Sequence, residues 1–366
     1  MSQILTRLYI DNFRCFVKFE YRPKRRQLIL GANGSGKSSL IEALLLLHRF
    51  AVKGEAIDDL PLLDQRTRWL KTPNLTFELD AKLGSWQYSY RLVLEPREDR
   101  LAVASETVCF NGKPILEFVN AEVHLYDESS QEIVKYPIDW HRSALPSVRQ
   151  EAVPNLGLFK HWLGRLVCFR LNPFAMGPLA KSSDPVPAPD LSNFVAWYTY
   201  LKRAPGQATP LLESLRVVLD GFVDLTLWPA AGANVLGAQF SNQGEPLTEF
   251  LFNELSDGQR CLICLYAILV FVLDQGNTVL LDEPDNFISL REIQPWLMAA
   301  TDVVENGHGQ LLLISHHPEI IDQWAAESAV RFVRDGIGAV RVEEFHGDPE
   351  SALTSAELVA RGWEHG

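Results

Sequence analysis

Apolar residues recur along this chain in three different rhythms. Short unbroken runs at 27–30 (QLIL), 166–171 (LVCFRL), 278–282 (TVLLD) and 311–315 (LLLIS) have the length and all-round apolarity of strands buried on both faces. A helical rhythm follows the first of them, with Leu40, Ile41, Leu44, Leu45 and Leu47 on one side of a helix. Further helices are expected at 193–203 (NFVAWYTYLKR) and 209–222 (TPLLESLRVVLDGF), where Leu211, Leu215, Val218, Leu219 and Phe222 share a face. Residues 247–273 lead into a long buried helix.

From about 74 to 126 the period drops to two. LTFELDAKL alternates, as does WQYSYRLVLE, with Trp86, Tyr88, Tyr90 and Leu92 on one face, and Asn111-Gly112 is a hairpin signal. Residues 4–9 (ILTRLY) and 16–20 (FVKFE) read as strands around a turn at Asp11-Asn12, and 182–190 (SSDPVPAPD) as a Pro-rich loop. Short apolar strands alternating with helices predict an α/β fold with a mainly parallel sheet, into which an antiparallel section is inserted. No internal repeat or sustained heptad run is present.

The 366 residues carry 46 acidic and 34 basic side chains, a formal net charge of −12. That balance excludes an overall basic footprint for nucleic acid and leaves only a local one. Arg22, Lys24, Arg25 and Arg26, with Arg14 nearby, form such a cluster, a possible DNA contact whose default reading is a solvated strand entry. Five scattered cysteines make no disulfide framework, and Cys261-x-x-Cys264 lies in an apolar helix without a second ligand pair. The start lacks a secretory h-region, and no apolar run reaches the roughly 18 residues of a membrane helix. A cytoplasmic protein without a membrane partner is expected.

Chemistry concentrates at the strand ends. Gly31 to Ser38 (GANGSGKS) matches the phosphate-loop pattern G-x-x-x-x-G-K-[ST] between a strand and a helix. Its backbone N–H groups, from Asn33, Gly34, Ser35 and Gly36 through Lys37, Ser38 and Ser39, would cradle phosphates at a helix N-terminus. Lys37 would reach the β- and γ-phosphates of ATP, and the Ser38 hydroxyl would ligate Mg²⁺. A second strand ends in Asp282-Glu283, two acids that are costly there without a cation. Asp282 is assigned to Mg²⁺ and Glu283 to the general base that activates water. A third strand ends in Ser315-His316-His317, where His316 is favoured as the group facing the γ-phosphate. Asp80-x-Lys82 has nuclease-like spacing but no companion acids.

The order phosphate loop, LSDGQR (255–260), LLDEP (280–284), SHHP (315–318) resembles that of ABC-type ATPases. The opening YIDNFRCF (9–16) is similar to the SMC-like, RecF-like and OLD-type branch, and the resemblance extends to the AAA_21 group of bacterial ATPases. The resemblance implies a P-loop NTPase with ABC-ATPase head architecture, a single domain in four stretches. These are an N-terminal lobe (1–73), an antiparallel β insert (74–145), a mostly helical insert (146–246) and a signature lobe (247–366). It also implies an ATP-sandwiched homodimer in which the signature Ser256, Asp257, Gly258 and Gln259 face the neighbour's γ-phosphate. Asp285 and Asn286 would form the D-loop, and His316 the switch histidine.

The chain departs from that pattern in reading DNFISLREIQPWL after the acids. It also lacks an evident Mg²⁺-sensing glutamine, with Asn172 standing nearest that place. The implied role is control of a separate effector, a nuclease or Toprim-like protein, or of DNA engagement, in bacterial defence or genome maintenance. A transporter's nucleotide-binding subunit and a non-hydrolysing nucleotide-gated module remain open alternatives.

Overall fold

A computed structural model describes residues 3–97, 100–149, 152–230, 232–242, 246–345 and 353–361. The chain begins with β1 (Gln3–Asp11), β2 (Phe19–Tyr21), β3 (Arg26–Leu30) and α1 (Lys37–Ala51). Strands β4 (Leu75–Leu83), β5 (Trp86–Arg97), β6 (Arg100–Phe110), β7 (Lys113–Val119), β8 (Glu122–Tyr126) and β9 (Glu132–Pro137) follow as a meander. Then come α2 (Pro154–Gly164), β10 (Leu166–Phe169), β11 (Leu179–Ala180), α3 (Phe194–Leu201) and α4 (Thr209–Val218). A second meander, β12 (Phe222–Ala230), β13 (Ala233–Phe240) and β14 (Thr248–Leu251), precedes α5 (Asp257–Ile268). The chain closes with β15 (Thr278–Asp282), α6 (Leu290–Glu305), β16 (Gln310–Ile314), α7 (Pro318–Ser328), β17 (Ala329–Arg334), β18 (Val340–Glu344) and α8 (Ser355–Arg361).

The described residues form three sheets. The central one runs β10-β15-β16-β3-β17-β18 and is parallel except for β18. Its strands are apolar throughout because both faces are covered. Leu280, Leu312, Ile314 and Ile29 point into one core with α1 and the large antiparallel sheet. Val279, Leu281, Leu311, Leu313 and Leu28 point into a second core built by α3 to α7.

The antiparallel section is not a separate insert. β1 pairs with β4, so the order is β2-β1-β4-β5-β6-β7-β8-β9 and the N-terminal strands belong to the same sheet. Buried Gln310 joins this sheet to the central one. Its amide accepts from the Leu5 N–H (2.8 Å) and Thr278 hydroxyl (3.0 Å) and donates to the Leu5 carbonyl (2.9 Å). Buried Glu106 does similar work on β6, accepting from Tyr90 (2.9 Å), Ser143 (2.6 Å) and the Ala144 N–H (2.6 Å). Tyr88 and Tyr90 are buried in the packed face, whereas Trp86, at the strand's start, is 37% exposed.

The stretch expected to be mostly helical contains β11, β12 and β13 as well as α2, α3 and α4. α4 stops at Val218 because Gly221 turns the chain at φ +73°, and Phe222 opens β12 instead of extending the helix face. The strand expected at 16–20 is confined to Phe19–Tyr21, and that at 166–171 to Leu166–Phe169. The long buried helix begins at Asp257 and finishes in a π-turn over Leu269–Leu273.

Candidate functional site at the carboxyl edge of the central sheet

β3, β16, β15 and β10 are parallel neighbours, so the residues following each strand meet at one edge of the sheet. β3 delivers the phosphate loop, β15 Asp282 and Glu283, β16 Ser315 and His316, and β10 Arg170. The register keeps them level, with Asp282 opposite Ile314 and Leu281 opposite Phe169.

Gly36 caps α1 at φ +104°, and a Cβ there would lie 2.9 Å from Val340 Cγ2, so only glycine closes the loop this tightly. Buried Lys37 donates from Nζ to the carbonyls of Gly31 and Ala32, the latter at 3.2 Å. Burial lowers its pKa, and the charges of Glu283 and Asp282 act the other way. Glu283 sits in the left-handed region at φ +46°, an uncommon backbone for a residue with a side chain. Asn286 Nδ2 donates to its Oε2 at 3.0 Å.

Residues 33–39, Cys15, Asp282, Glu283 and Arg334 enclose a cavity of about 230 Å³. A second cavity of about 250 Å³ shares Cys15, Ser39 and Arg334 with it and adds Arg14, Asp64, Gln65, Arg66, Arg68 and Trp69. The Arg334 guanidinium lies over the Trp69 ring, 5.7 Å from its centroid. Asn12, at φ +62°, holds this wall in place by donating to Thr72 O (2.8 Å) and accepting from Thr67 N (3.2 Å). A cationic, partly aromatic wall beside a backbone cradle suits a nucleotide.

The structure brings Ser38 and Asp282 together through Arg170. Nε and Nη2 of Arg170 each lie 2.6 Å from Asp282 Oδ2, and Nη2 lies 3.3 Å from Ser38 Oγ. Burial raises the Asp282 pKa, and the charge of Arg170 is the foremost influence lowering it. A hydroxyl and a carboxylate spanned by one guanidinium are a hard-oxygen pair of the kind Mg²⁺ takes, so the donor set fits the metal.

The two histidines separate. His317 caps α7, its ring accepting from the Glu319 N–H at 3.3 Å. His316 instead senses the charges of the site. Burial lowers its pKa first and Lys37 second, while Glu283 and Asp285 oppose them.

The signature turn is a helix start. Ser256 and Gln259 form a capping box on α5, with Gln259 N donating to Ser256 Oγ at 3.2 Å and Ser256 N to Gln259 Oε1 at 3.0 Å. Gly258 is required by packing, since a Cβ would lie 2.7 Å from the carbonyl of Phe287. Asp257 pairs with Arg260, which also donates to Pro173 O at 2.6 Å, a few residues beyond Arg170. None of residues 256–259 lines the phosphate-loop cavity.

With this geometry in place, comparison with known proteins decides the fold. The chain matches an SMC head domain from Thermotoga maritima at TM-score 0.50 and 15% identity, over 95% of this chain and 100% of that one. It also matches an SMC head bound to the C-winged helix domain of ScpA, at TM-score 0.54 and 12% identity, over 92% and 96%. The fold is that of an SMC-type ATPase head. Residues 182–322 match the AAA_21 family, described as "AAA domain, putative AbiEii toxin, Type IV TA system", and residues 7–59 match AAA_23, an AAA domain. The two family matches, over separate parts of the chain, agree with the SMC-head fold in likening it to AAA domains. No curated protein matches the head in sequence.

Several sequence expectations need correction against the head's geometry. The basic cluster is engaged within its own chain: Arg22 pairs with Glu20 (2.8 Å), and Lys24 donates to Glu327 O (3.0 Å). Arg25 donates to Gly307 O and Gly309 O (3.0 Å each), and Arg26 pairs with Glu305 (3.1 Å) and Glu327 (2.6 Å). These contacts stitch β3 to the ends of α6 and α7, while Arg22 and Lys24 remain exposed. Arg14 lies apart from them, in the second cavity beside the phosphate loop. Asp285 is buried in its own chain and bonded to Ser315, so of the two D-loop residues only Asn286 is exposed. Asn172 is exposed and outside the cavity; Arg170, two residues earlier, reaches Ser38 and Asp282. Asp80 pairs with Arg7 at 3.5 Å on the outer face of the sheet. Both Cys261 and Cys264 are buried, and among the described residues no group of His, Cys, Asp and Glu could hold a metal on its own.

Arg170, Arg334, Arg66, Arg68 and Trp69 had no motif to announce them. Arg170 and Arg334 do share one signal with Asp282: a charge at or just beyond the end of a short apolar strand.

Proposed function

We propose that this head is a Mg²⁺-dependent ATPase whose nucleotide is closed between two copies, the signature turn of one facing the phosphate loop of the other. The observation that carries this reading is the placement of Ser256 to Gln259 outside the cavity that the phosphate loop, Asp282 and Glu283 enclose. A helix start with an exposed Ser256 followed by a glycine has phosphate-binding geometry, and among the described residues it lies outside the cavity of its own phosphate loop.

In this reading Lys37 leaves the Gly31 and Ala32 carbonyls for the β- and γ-phosphates. Ser38 and Asp282 would hold Mg²⁺, which would supply charge neutralisation. Glu283, fixed by Asn286, takes the proton of the attacking water, and His316 faces the γ-phosphate. The lowered pKa of His316 keeps its ring neutral and able to accept or donate one hydrogen bond near pH 7.

Pairing driven by ATP would then control a separate effector, nuclease or Toprim-like, or the engagement of DNA, in bacterial defence or genome maintenance. An SMC head of the same fold bound to a winged-helix domain supports a protein partner. Among the described residues no helix is long and apolar enough to cross a membrane.

Light scattering on Glu283→Gln tests the pairing. The chain of 41.3 kDa should double its mass when ATP and Mg²⁺ are added. An unchanged mass at saturating ATP contradicts the proposal.

A further inference from the structure

Arg170 is a charged side chain at the site, in contact with Ser38 and Asp282, that the proposed reaction does not use. Its backbone is fixed, since the amide donates to Pro189 O at 2.8 Å and the preceding strand is hydrogen-bonded to β15. Its side chain is 62% exposed and has room to leave, whereas the Asp282 carboxylate it contacts is 3% exposed. The guanidinium holds Asp282 Oδ2 at 2.6 Å through two nitrogens and Ser38 Oγ at 3.3 Å through one of them. These are the two protein groups assigned to Mg²⁺.

We infer that Arg170 is a built-in competitor of the divalent cation: it keeps Ser38 and Asp282 together, and it must release both before Mg²⁺ binds. This rests on the Mg²⁺ assignment made above. Two positive charges directed at one buried carboxylate oxygen and one hydroxyl repel each other strongly in a partly desolvated site, so occupancy is exclusive. The apparent affinity for Mg²⁺ is therefore set by how firmly Arg170 holds on, as well as by the ligands themselves. Arg170 also lies three residues before Pro173, whose carbonyl accepts from Arg260 of the signature helix. Its release is thereby placed next to the segment that carries the signature turn.

The test uses the full chain and a fluorescent ATP analogue, titrated with MgCl₂ from an EDTA-containing buffer. The readout is the Mg²⁺ concentration at half-maximal nucleotide binding. Arg170→Ala should lower that midpoint by roughly tenfold or more, the effect of removing a charge-assisted hydrogen bond to a buried acid. Arg170→Lys, with a point charge and no fork, should fall between wild type and Ala. In an Asp282→Asn background Arg170→Ala should shift the midpoint by less than about twofold, because the charge pair that gives the contact its strength is already removed. If Arg170→Ala melts too low to titrate, Arg170→Lys decides alone, and its midpoint must still be lower than that of wild type. A midpoint unchanged or raised, while the variant still binds nucleotide at saturating Mg²⁺, overturns the role of Arg170 and leaves the ATPase reading standing. Nucleotide binding by wild type that is indifferent to Mg²⁺ overturns the metal assignment and this inference with it.

Discussion

Replacing Glu283 by Gln isolates the chemistry from the fold. The amide keeps an oxygen to accept from Asn286 Nδ2, now at 3.0 Å, and leaves the left-handed backbone at φ +46° unchanged. Stability should therefore stay within about 0.5 kcal/mol of wild type, as for surface changes that break no buried contact. Turnover should not. A positioned general base contributes roughly 10²- to 10⁴-fold, which corresponds to about 2.7–5.4 kcal/mol of barrier. Binding should move the other way or not at all. Loss of Glu283 withdraws the leading charge that favours the protonated form of Lys37, but it also removes a negative charge from the phosphate-loop cavity, and these two effects oppose each other. Steady-state phosphate release, nucleotide titration and thermal unfolding on one preparation separate the three effects. Retention of more than a tenth of wild-type turnover would show that Glu283 is not the base.

Two further predictions concern the scaffold. Gly258→Ala sets an overpacking cost of about 1–3 kcal/mol against a helix-propensity gain of about 1 kcal/mol, because its Cβ would lie 2.7 Å from the Phe287 carbonyl. A small loss of melting temperature is expected, with a much larger loss of turnover as the signature turn shifts from the D-loop; wild-type turnover would refute the contact's importance. Glu106 is an acid whose pKa burial raises above the ordinary 4.5, so the protonated form is favoured in the fold. Its contribution is present below about pH 4.5 and lost as pH rises through the raised value. Melting curves should therefore show Glu106→Gln gaining on wild type as pH rises from 4.5, and a constant difference would count against it.

The parts of this head that were legible in the sequence are those where local pattern and chemistry coincide. The phosphate loop needs glycines at fixed offsets, and β15 and β16 need all-apolar runs because both faces of the sheet are covered. The ends of those runs then put Lys37, Asp282, Glu283 and His316 at one edge. What stayed hidden depends on which strands are neighbours. Arg170 acquires meaning only because β10 lies beside β15. Conversely, the partners of Arg25 and Arg26 could not be read from the sequence, because they are acids and carbonyls at the ends of α6, α7 and their loops. The second meander was missed because Leu219 and Phe222 continue the helical spacing of α4 past the glycine that ends it. For Ser256 to Gln259 the fold shows the helix cap, and the phosphate clamp belongs to the proposed function.

Whether that turn serves a neighbour's nucleotide is the central claim, and complementation tests it most directly. Lys37→Ala disables the phosphate loop, and Ser256→Arg blocks the signature turn while leaving the other chain elements in place. Each variant alone should be inactive. Mixed in equal amounts they should regain a measurable part of wild-type ATP turnover, because a mixed pair holds one intact phosphate loop facing one intact signature turn. No recovery over either variant alone, with both proteins folded and the Ser256→Arg chain still binding ATP, would contradict a site shared between two copies.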